Sequence, residues 1–285
     1  MSAPKARRIG FAYNPTIEAA VDLRERAAGW LTMHGLDQWA AAAAEEAALQ
    51  AELGSTDVLV VLGGDGTFLR AARAVIEAGA DVPLLGINVG KVGFLSKVEA
   101  GALEQVLAQL AAGEFEVERR MALEGLIRRA GGEAVQRVVA LNDVVIARGS
   151  LARVVRLATE IGDSHLATFV ADGLVVASPT GSTGYSFSAG GPILDPTARN
   201  LVVTPIAGYL ATIRSVVVGP GAVVRCRVVA ADEALVSVDG REDIPIAVDD
   251  QVEIRAIERP VRFVEPHGSL PFWDLVRQKV ELLPS

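Results

Sequence analysis

One carboxylate stands among glycines in Gly63-Gly64-Asp65-Gly66-Thr67, directly after the apolar run 58–62. A strand that turns through glycine into a helix presents backbone N–H groups that attract phosphate oxygens. The glycines let a ligand approach the backbone closely and permit positive φ. A carboxylate at that place is repelled by phosphate unless it works there. It binds a metal, or it accepts the proton of a hydroxyl that is being phosphorylated. A capping aspartate in a tight turn is the plain alternative.

Two further groups can touch a ligand. Asn142-Asp143 puts adjacent polar side chains inside the β-branched run 135–146, where a strand would point them to opposite faces. Burying either one unpaired costs several kcal/mol, so they cap a turn or hydrogen-bond a ligand's hydroxyls. Asp172-Gly173 leads through a strand at 174–177 into Ser178-Pro179-Thr180-Gly181-Ser182-Thr183-Gly184-Tyr185-Ser186-Phe187-Ser188-Ala189-Gly190-Gly191-Pro192. A flexible linker has such a composition, but the apolar flanks, Tyr185 and Phe187 favour a ligand-binding loop. Its small hydroxyl residues let polar groups come close, and Tyr185 offers a flat face to a purine ring.

Other candidates are weaker. The segment 85–95 ends a strand in spaced glycines without the dinucleotide fingerprint G-x-G-x-x-G, and taken alone it reads as structural. No G-x-x-x-x-G-K-[ST] occurs, so a P-loop mechanism is excluded. His34, His165 and His267 are scattered without metal-ligand spacing, and no metal site is read from them.

The elements that must position these residues change character along the chain. Up to about residue 120 strands at 9–13, 58–62 and 83–87 alternate with helical patterns at 18–33, 40–53 and 102–112. That order implies parallel pairing in an open α/β sheet. The pair Glu45-Glu46 is read as a solvated face. From Met121 onward short β-rich runs (135–146, 154–161, 174–177, 223–229, 251–257) are separated by turn signals at 130–133, 148–150, 161–163, 219–221 and 249–250. These suggest an antiparallel, sandwich-like domain. Residues 272–280 return to helical spacing.

The chain has 285 residues, 51% of them hydrophobic, enough for one large domain or two of ordinary size. Its 27 basic and 35 acidic residues give a net charge of −8, which disfavours nucleic acid and anionic membrane as partners. A bound polyphosphate then needs local cations. Cys226, the single cysteine, excludes an intrachain disulfide and a cysteine-rich zinc site, suits a reducing compartment, and is expected to serve in packing. The basic start, 1–8, has no apolar signal core, and no long apolar run crosses a membrane. A soluble, cytoplasmic protein is expected.

Together, Gly63-Gly64-Asp65-Gly66-Thr67, Gly86-Ile87-Asn88-x-Gly90-x-x-Gly93-Phe94-Leu95, Asn142-Asp143 and the block from Asp172 to Pro192 resemble the NAD kinase family, whose members use ATP or polyphosphate. Order and spacing match from about residue 9 to 279. The glycine–aspartate turn is shared with phosphofructokinases and with diacylglycerol- or sphingosine-type lipid kinases. The block 172–192 separates this chain from those relatives.

The resemblance implies an α/β N-terminal domain with an open parallel sheet at 1–120 and a β-rich, NAD-binding domain at 121–265. A C-terminal segment, 266–285, would pack its helix back on the first domain. NAD would lie between the domains of a homodimer or homotetramer. The reaction would be ATP plus NAD giving ADP plus NADP, with magnesium (Mg2+) carried on the nucleotide. Asp65 would accept the proton of the adenosine ribose 2′-hydroxyl, and Gly66 and Arg70 would contact NAD or phosphate. Asn142 and Asp143 would hold hydroxyl or adenine groups. Arg153 and Asp172 would line the NAD site, Asp172 towards the nicotinamide half. Thr183, Gly184, Tyr185, Ser186, Phe187 and Ser188 would surround NAD, with Tyr185 on the ring, and Ala207 would form a further wall.

Several positions depart from the family's pattern. Asp143 stands where Glu is frequent, Gly184 where Ala is usual, and Gly208, Tyr209 and Arg214-Ser215 alter the stretch after Thr204-Pro205-Ile206. Two other functions remain open on residues alone. A lipid kinase would need an apolar acyl cleft, against which the hydroxyl-rich loop argues. A non-catalytic NAD sensor would gain by losing the charge of Asp65.

Overall fold

The structure, a computed structural model, describes residues 5–90, 93–132, 135–149, 153–209 and 213–281. Lys91 and Val92 of the second glycine segment, Glu133 and Ser150 of two expected turns, and the first four residues lie outside the described residues. The chain divides into two compact units, Met1–Arg119 with Val261–Ser285, and Arg120–Pro260.

The first unit begins with β1 (Arg8–Tyr13), α1 (Glu18–Met33), β2 (Asp37–Ala42), α2 (Glu46–Leu53), β3 (Val58–Leu62) and α3 (Asp65–Glu77). It continues with β4 (Leu84–Asn88), β5 (Val98–Glu99), α4 (Leu103–Ala112) and β6 (Phe115–Arg120). β1, β2, β3, β4 and β5 pair in parallel. Every residue of β3 and β4 is buried, as the unbroken apolar runs of a sheet covered on both faces require. Leu23, Ala27 and Leu31 of α1 and Val106 and Leu110 of α4 close one face over Ile9, Phe11, Val58, Val60 and Ile87.

The expected helix over 40–53 is a correction. Ala40, Ala41 and Ala42 form strand β2 against Phe11, Ala12 and Tyr13, and the helix starts at Glu46. Alanine's helix preference is a weak prior that ladder pairing overrides. Trp39 also commits this segment, lying over Gly10 and donating its indole N–H to Thr56 Oγ1 at 2.8 Å. Glu46 is no free solvated charge, since it lies 3.7 Å from Arg73 of α3.

The second unit contains β7 (Leu123–Arg128), β8 (Val135–Ala140), β9 (Asp143–Arg148), β10 (Val155–Ile161), β11 (Ser164–Ala171), β12 (Gly173–Ala177) and the short helix α5 (Tyr185–Ser188). β13 (Leu201–Ile206), β14 (Val216–Val218), β15 (Val223–Ala230), β16 (Ala234–Val238), β17 (Arg241–Ile246) and β18 (Gln251–Ala256) follow. They build two six-stranded sheets, ordered β11-β10-β15-β18-β7-β8 and β14-β13-β12-β9-β16-β17. Leu157, Val224, Cys226 and Ile254 of one sheet share a core with Ile146, Leu174, Val203 and Val236 of the other. Burial pushes the Cys226 thiol up to about 12, in keeping with a packing role. The run 135–146 holds two strands: the chain leaves the first sheet after Ala140 and enters the second at Asp143.

β19 (Val261–Pro266) then pairs with β4, and both strands belong to the first unit. Phe263 of β19 meets Phe68 of α3 at 5.0 Å between ring centroids. α6 (Phe272–Glu281) completes this unit. Among the described residues no helix is long and apolar enough to cross a membrane.

Candidate functional site

In the first unit the glycine turn carries Asp65 as the first residue of α3, with Gly64 before it in an extended conformation. The N–H groups of Thr67 and Phe68 close the first helical bonds onto the Gly64 carbonyl. Those of Asp65 and Gly66 have no intrahelical acceptor by helix geometry and are available to an anion. The Asp65 carboxylate is held from the loop after β4. Oδ2 accepts the backbone N–H of Phe94 at 3.0 Å, and Oδ1 accepts those of Leu95 at 3.1 Å and Ser96 at 3.3 Å. The segment 85–95, structural when read alone, therefore supplies donors to the one carboxylate of the turn. Gly66 is exposed, and Arg70 has no hydrogen-bond or ion-pair partner among the described residues.

In the second unit Asn142 and Asp143 sit at the corner where the chain changes sheets, with Asp143 as the first residue of β9. The corner is tied down by Asp239, whose carboxylate accepts the N–H groups of Leu141 at 2.9 Å, Asn142 at 2.8 Å and Asp143 at 3.1 Å. Asp239-Gly240 joins β16 to β17 with both residues at positive φ, 51° and 66°, the pattern of a tight hairpin turn. Asp143 is only 5% exposed, and burial together with the neighbouring Asp239 pushes its carboxyl up to about 7. Burial raises Asp239 too, against the pull of its three N–H donors and Arg241. With those donors Asp239 is the better holder of the negative charge, and Asp143 takes the proton.

The hydroxyl-rich loop folds onto this corner. The Ser178 N–H donates to the Asn142 carbonyl at 2.8 Å and its hydroxyl to the Leu141 carbonyl at 2.5 Å. Gly181 abuts the Asn142 carbonyl with no room for a Cβ. Ser182 ties the loop to itself, giving its hydroxyl to Pro179 at 2.6 Å and accepting the Leu194 N–H at 2.9 Å. Asn142 Oδ1 and Thr180 Oγ1 are buried without a hydrogen-bond partner among the described residues. A Cβ at Gly184 would meet the Gly181 carbonyl at 3.3 Å and Asp143 Oδ2 at 3.8 Å, so the alanine usual in the family needs little adjustment here. The Thr183 hydroxyl is turned to the Thr180 carbonyl, while Ser186 is buried against Thr204 at 3.3 Å. Tyr185 and Phe187 are 47% and 44% exposed, and Ser188 is exposed beside them. The segment is a 3₁₀ turn and a short helix, not a linker.

At the opposite end of β12, Asp172 forms a two-pronged ion pair with Arg148, at 3.0 and 3.1 Å. Its N–H donates to Ile206, the residue before Ala207, which is exposed with φ 46°. Arg153 is exposed and paired with Asp232 at 2.8 Å. The Asp143 and Asp172 ends are separated by the length of a five-residue strand, about 14 Å at roughly 3.4 Å per residue. Sequence reasoning missed Asp239 and Arg148. The first had a local signal, an Asp-Gly pair between two alternating runs.

Two family models match the chain, one in each half. The ATP-NAD kinase N-terminal domain family matches residues 14–115, and the ATP-NAD kinase C-terminal domain family matches residues 141–266. An NAD kinase of Syntrophotalea carbinolica is 36% identical over 283 residues, covering 96% of this chain and 98% of that protein. The chain belongs to the NAD kinase family. An NAD kinase of Symbiobacterium thermophilum is 42% identical over 228 residues, 80% of this chain and 79% of that one. The crystal structure of an NAD kinase from Archaeoglobus fulgidus in complex with ATP is similar with a TM-score of 0.77 at 26% identity, covering 97% of this chain and 100% of that chain. The chain is thus a kinase, in a family that phosphorylates NAD.

Proposed function

We propose that the chain transfers the terminal phosphoryl group of ATP to the 2′-hydroxyl of the adenosine ribose of NAD, with Asp65 as proton acceptor. One observation carries this reading: the three backbone donors on the Asp65 carboxylate. A carboxylate offers about four lone-pair directions. Oδ1 uses two and Oδ2 one, which leaves a single acceptor direction on Oδ2 for a substrate hydroxyl. Phosphoryl transfer depends on alignment more than on covalent help, and a carboxylate so fixed aligns the attacking oxygen while it takes the proton.

Gly66 and Arg70 are assigned to the phosphates. Asn142, Asp143 and residues 183–188 are assigned to the adenosine, with Tyr185 on the ring. Asp172, Arg153 and Ala207 are assigned to the nicotinamide half. The unpartnered Asn142 Oδ1, the exposed Tyr185 and the strand-length separation of Asp143 from Asp172 support an elongated polar ligand. The ATP bound to the Archaeoglobus fulgidus relative supports ATP as donor.

Magnesium fits this reading as a companion of the donor. Among the described residues no group of three or more His, Cys, Asp or Glu side chains could hold a metal ion. Mg2+ is commonly bound through substrate phosphates with one or two carboxylates at most. When bound, it would neutralise phosphate charge. A homodimer or homotetramer in the cytoplasm completes the reading. The exposed Val217 on edge strand β14 and the single buried cysteine suit it.

The test is Asp65→Asn, assayed with NAD, ATP and magnesium and read by an NADP-specific dehydrogenase, which also reports the position phosphorylated. Turnover should fall on the order of 10²–10⁴-fold, the usual general-base contribution, with NAD affinity kept. Near-normal turnover in the variant would remove Asp65 from the chemistry. Polyphosphate in place of ATP, in the same assay, decides the donor.

A further inference from the structure

Phe94 has two connections in the first unit. Its N–H is one of the donors on Asp65, and its ring is a contact point of helix α6. Phe272 meets that ring with centroids 6.2 Å apart and planes at 50°, and Lys279 Nζ stands 5.2 Å from its centroid. Phe272, Leu275 and Lys279 are spaced by three and four residues, so they share one helix face. Leu275, in the middle of that face, is only 2% exposed and anchors it. Trp273, half exposed, stands edge-on to Phe272 with ring centroids 5.0 Å apart.

The loop that α6 touches is packed on β4 at its far end, where Leu95 and Ser96 are buried against Gly86, while Phe94 reaches α6. Its N–H groups at Phe94, Leu95 and Ser96 point at Asp65, and beyond β4 it is entered through Asn88, which takes the Gly90 N–H at 2.9 Å. Aromatic pairs and a cation over a ring face are directional contacts that fix a side chain's place. We propose that α6 is a positioning element for phosphoryl transfer: Phe272 and Lys279 hold the Phe94 ring, and Phe94 holds the carboxylate of Asp65. Phe94, Phe272 and Lys279 are positioning residues, since none of them is assigned to substrate. This inference rests on the reading of Asp65 as proton acceptor.

The experiment compares Phe94→Ala, Phe94→Tyr, Phe272→Ala, Lys279→Met and Asp65→Asn in the full chain, well below each unfolding midpoint. Phe94→Ala and Phe272→Ala should each lower kcat about 10- to 100-fold, the scale of a misplacement near 1 Å, with KM for NAD changed by less than about threefold. Phe94→Tyr, which keeps the ring, should restore turnover, and Lys279→Met should give a smaller loss. The double variant Phe94→Ala/Phe272→Ala should be no slower than Phe94→Ala, because both act through one contact. Amide hydrogen exchange at 93–96 should speed up in Phe272→Ala, a readout independent of turnover. If Phe272→Ala and Lys279→Met turn over within about twofold of wild type while Asp65→Asn does not, α6 is packing only and the inference fails. If Asp65→Asn itself turns over normally, the base reading fails first and the inference with it.

Discussion

Gly93 has no room for a side chain, because the Asp65 carboxylate occupies the space where its Cβ would stand. The next three residues donate their N–H groups to that carboxylate. Neither partner yields cheaply: Asp65 belongs to the first turn of α3, and the loop is bound to it. Gly93→Ala should therefore displace the carboxylate and lower kcat about 10²-fold, with a smaller effect on the unfolding midpoint. Saturating kinetics beside a thermal melt check this. Unchanged kcat would show that Asp65 works from another position, or not at all.

Tyr185 bears on binding and not on folding. Its ring is 47% exposed on a short helix, so removing it leaves no cavity in the core. Tyr185→Ala should weaken NAD binding by about 1–3 kcal/mol, if base stacking on aromatic side chains is the guide. Titration of NAD against the folded variant reads it directly. An unchanged affinity takes the ring out of the site, and a melted variant assigns it to packing.

What could be read from residues alone follows from how local each cause is. Val58–Leu62 and Glu18–Met33 were legible to the residue, because apolar runs and helical spacing are written in the segments themselves. Ala40 to Ala42 misled because the deciding contacts, Phe11 to Tyr13 and Gly10 under Trp39, come from another strand. At Asn142-Asp143 the polar pair was visible, while the change of sheet and the carboxylate of Asp239, 97 positions from Asn142, were not. The grip on Asp65 was invisible for a different reason. It is made by backbone N–H groups, which no side-chain pattern encodes.

Asp239 gives the third prediction. Asp239→Ala leaves three N–H groups of the sandwich corner without an acceptor, at roughly 1–3 kcal/mol for each that stays buried. It also puts alanine at φ 51°, a conformation that Asn tolerates far better. Asp239→Ala should therefore destabilise by several kcal/mol, and Asp239→Asn by clearly less. Denaturant unfolding measures both. Equal, small losses would mean that the corner is held by its strands alone.

The last prediction concerns pH. The Asp143 carboxyl is raised from its ordinary 3.8 to about 7, first by burial and then by the charge of Asp239. Between those values the folded chain holds a proton that the unfolded chain has released. Stability from this group is therefore complete below about pH 4 and lost as pH rises through about 7. The loss is on the order of a few kcal/mol, and the two carboxyls titrate as a pair. Asp143→Asn mimics the protonated acid and removes one step of that titration. The variant should be close to wild type in stability near pH 4 and gain on it steadily up to about pH 7, levelling off above. Urea unfolding of both proteins across this range is the measurement. A stability difference that stays constant with pH would mean that Asp143 is ionised throughout, with its charge compensated inside the fold.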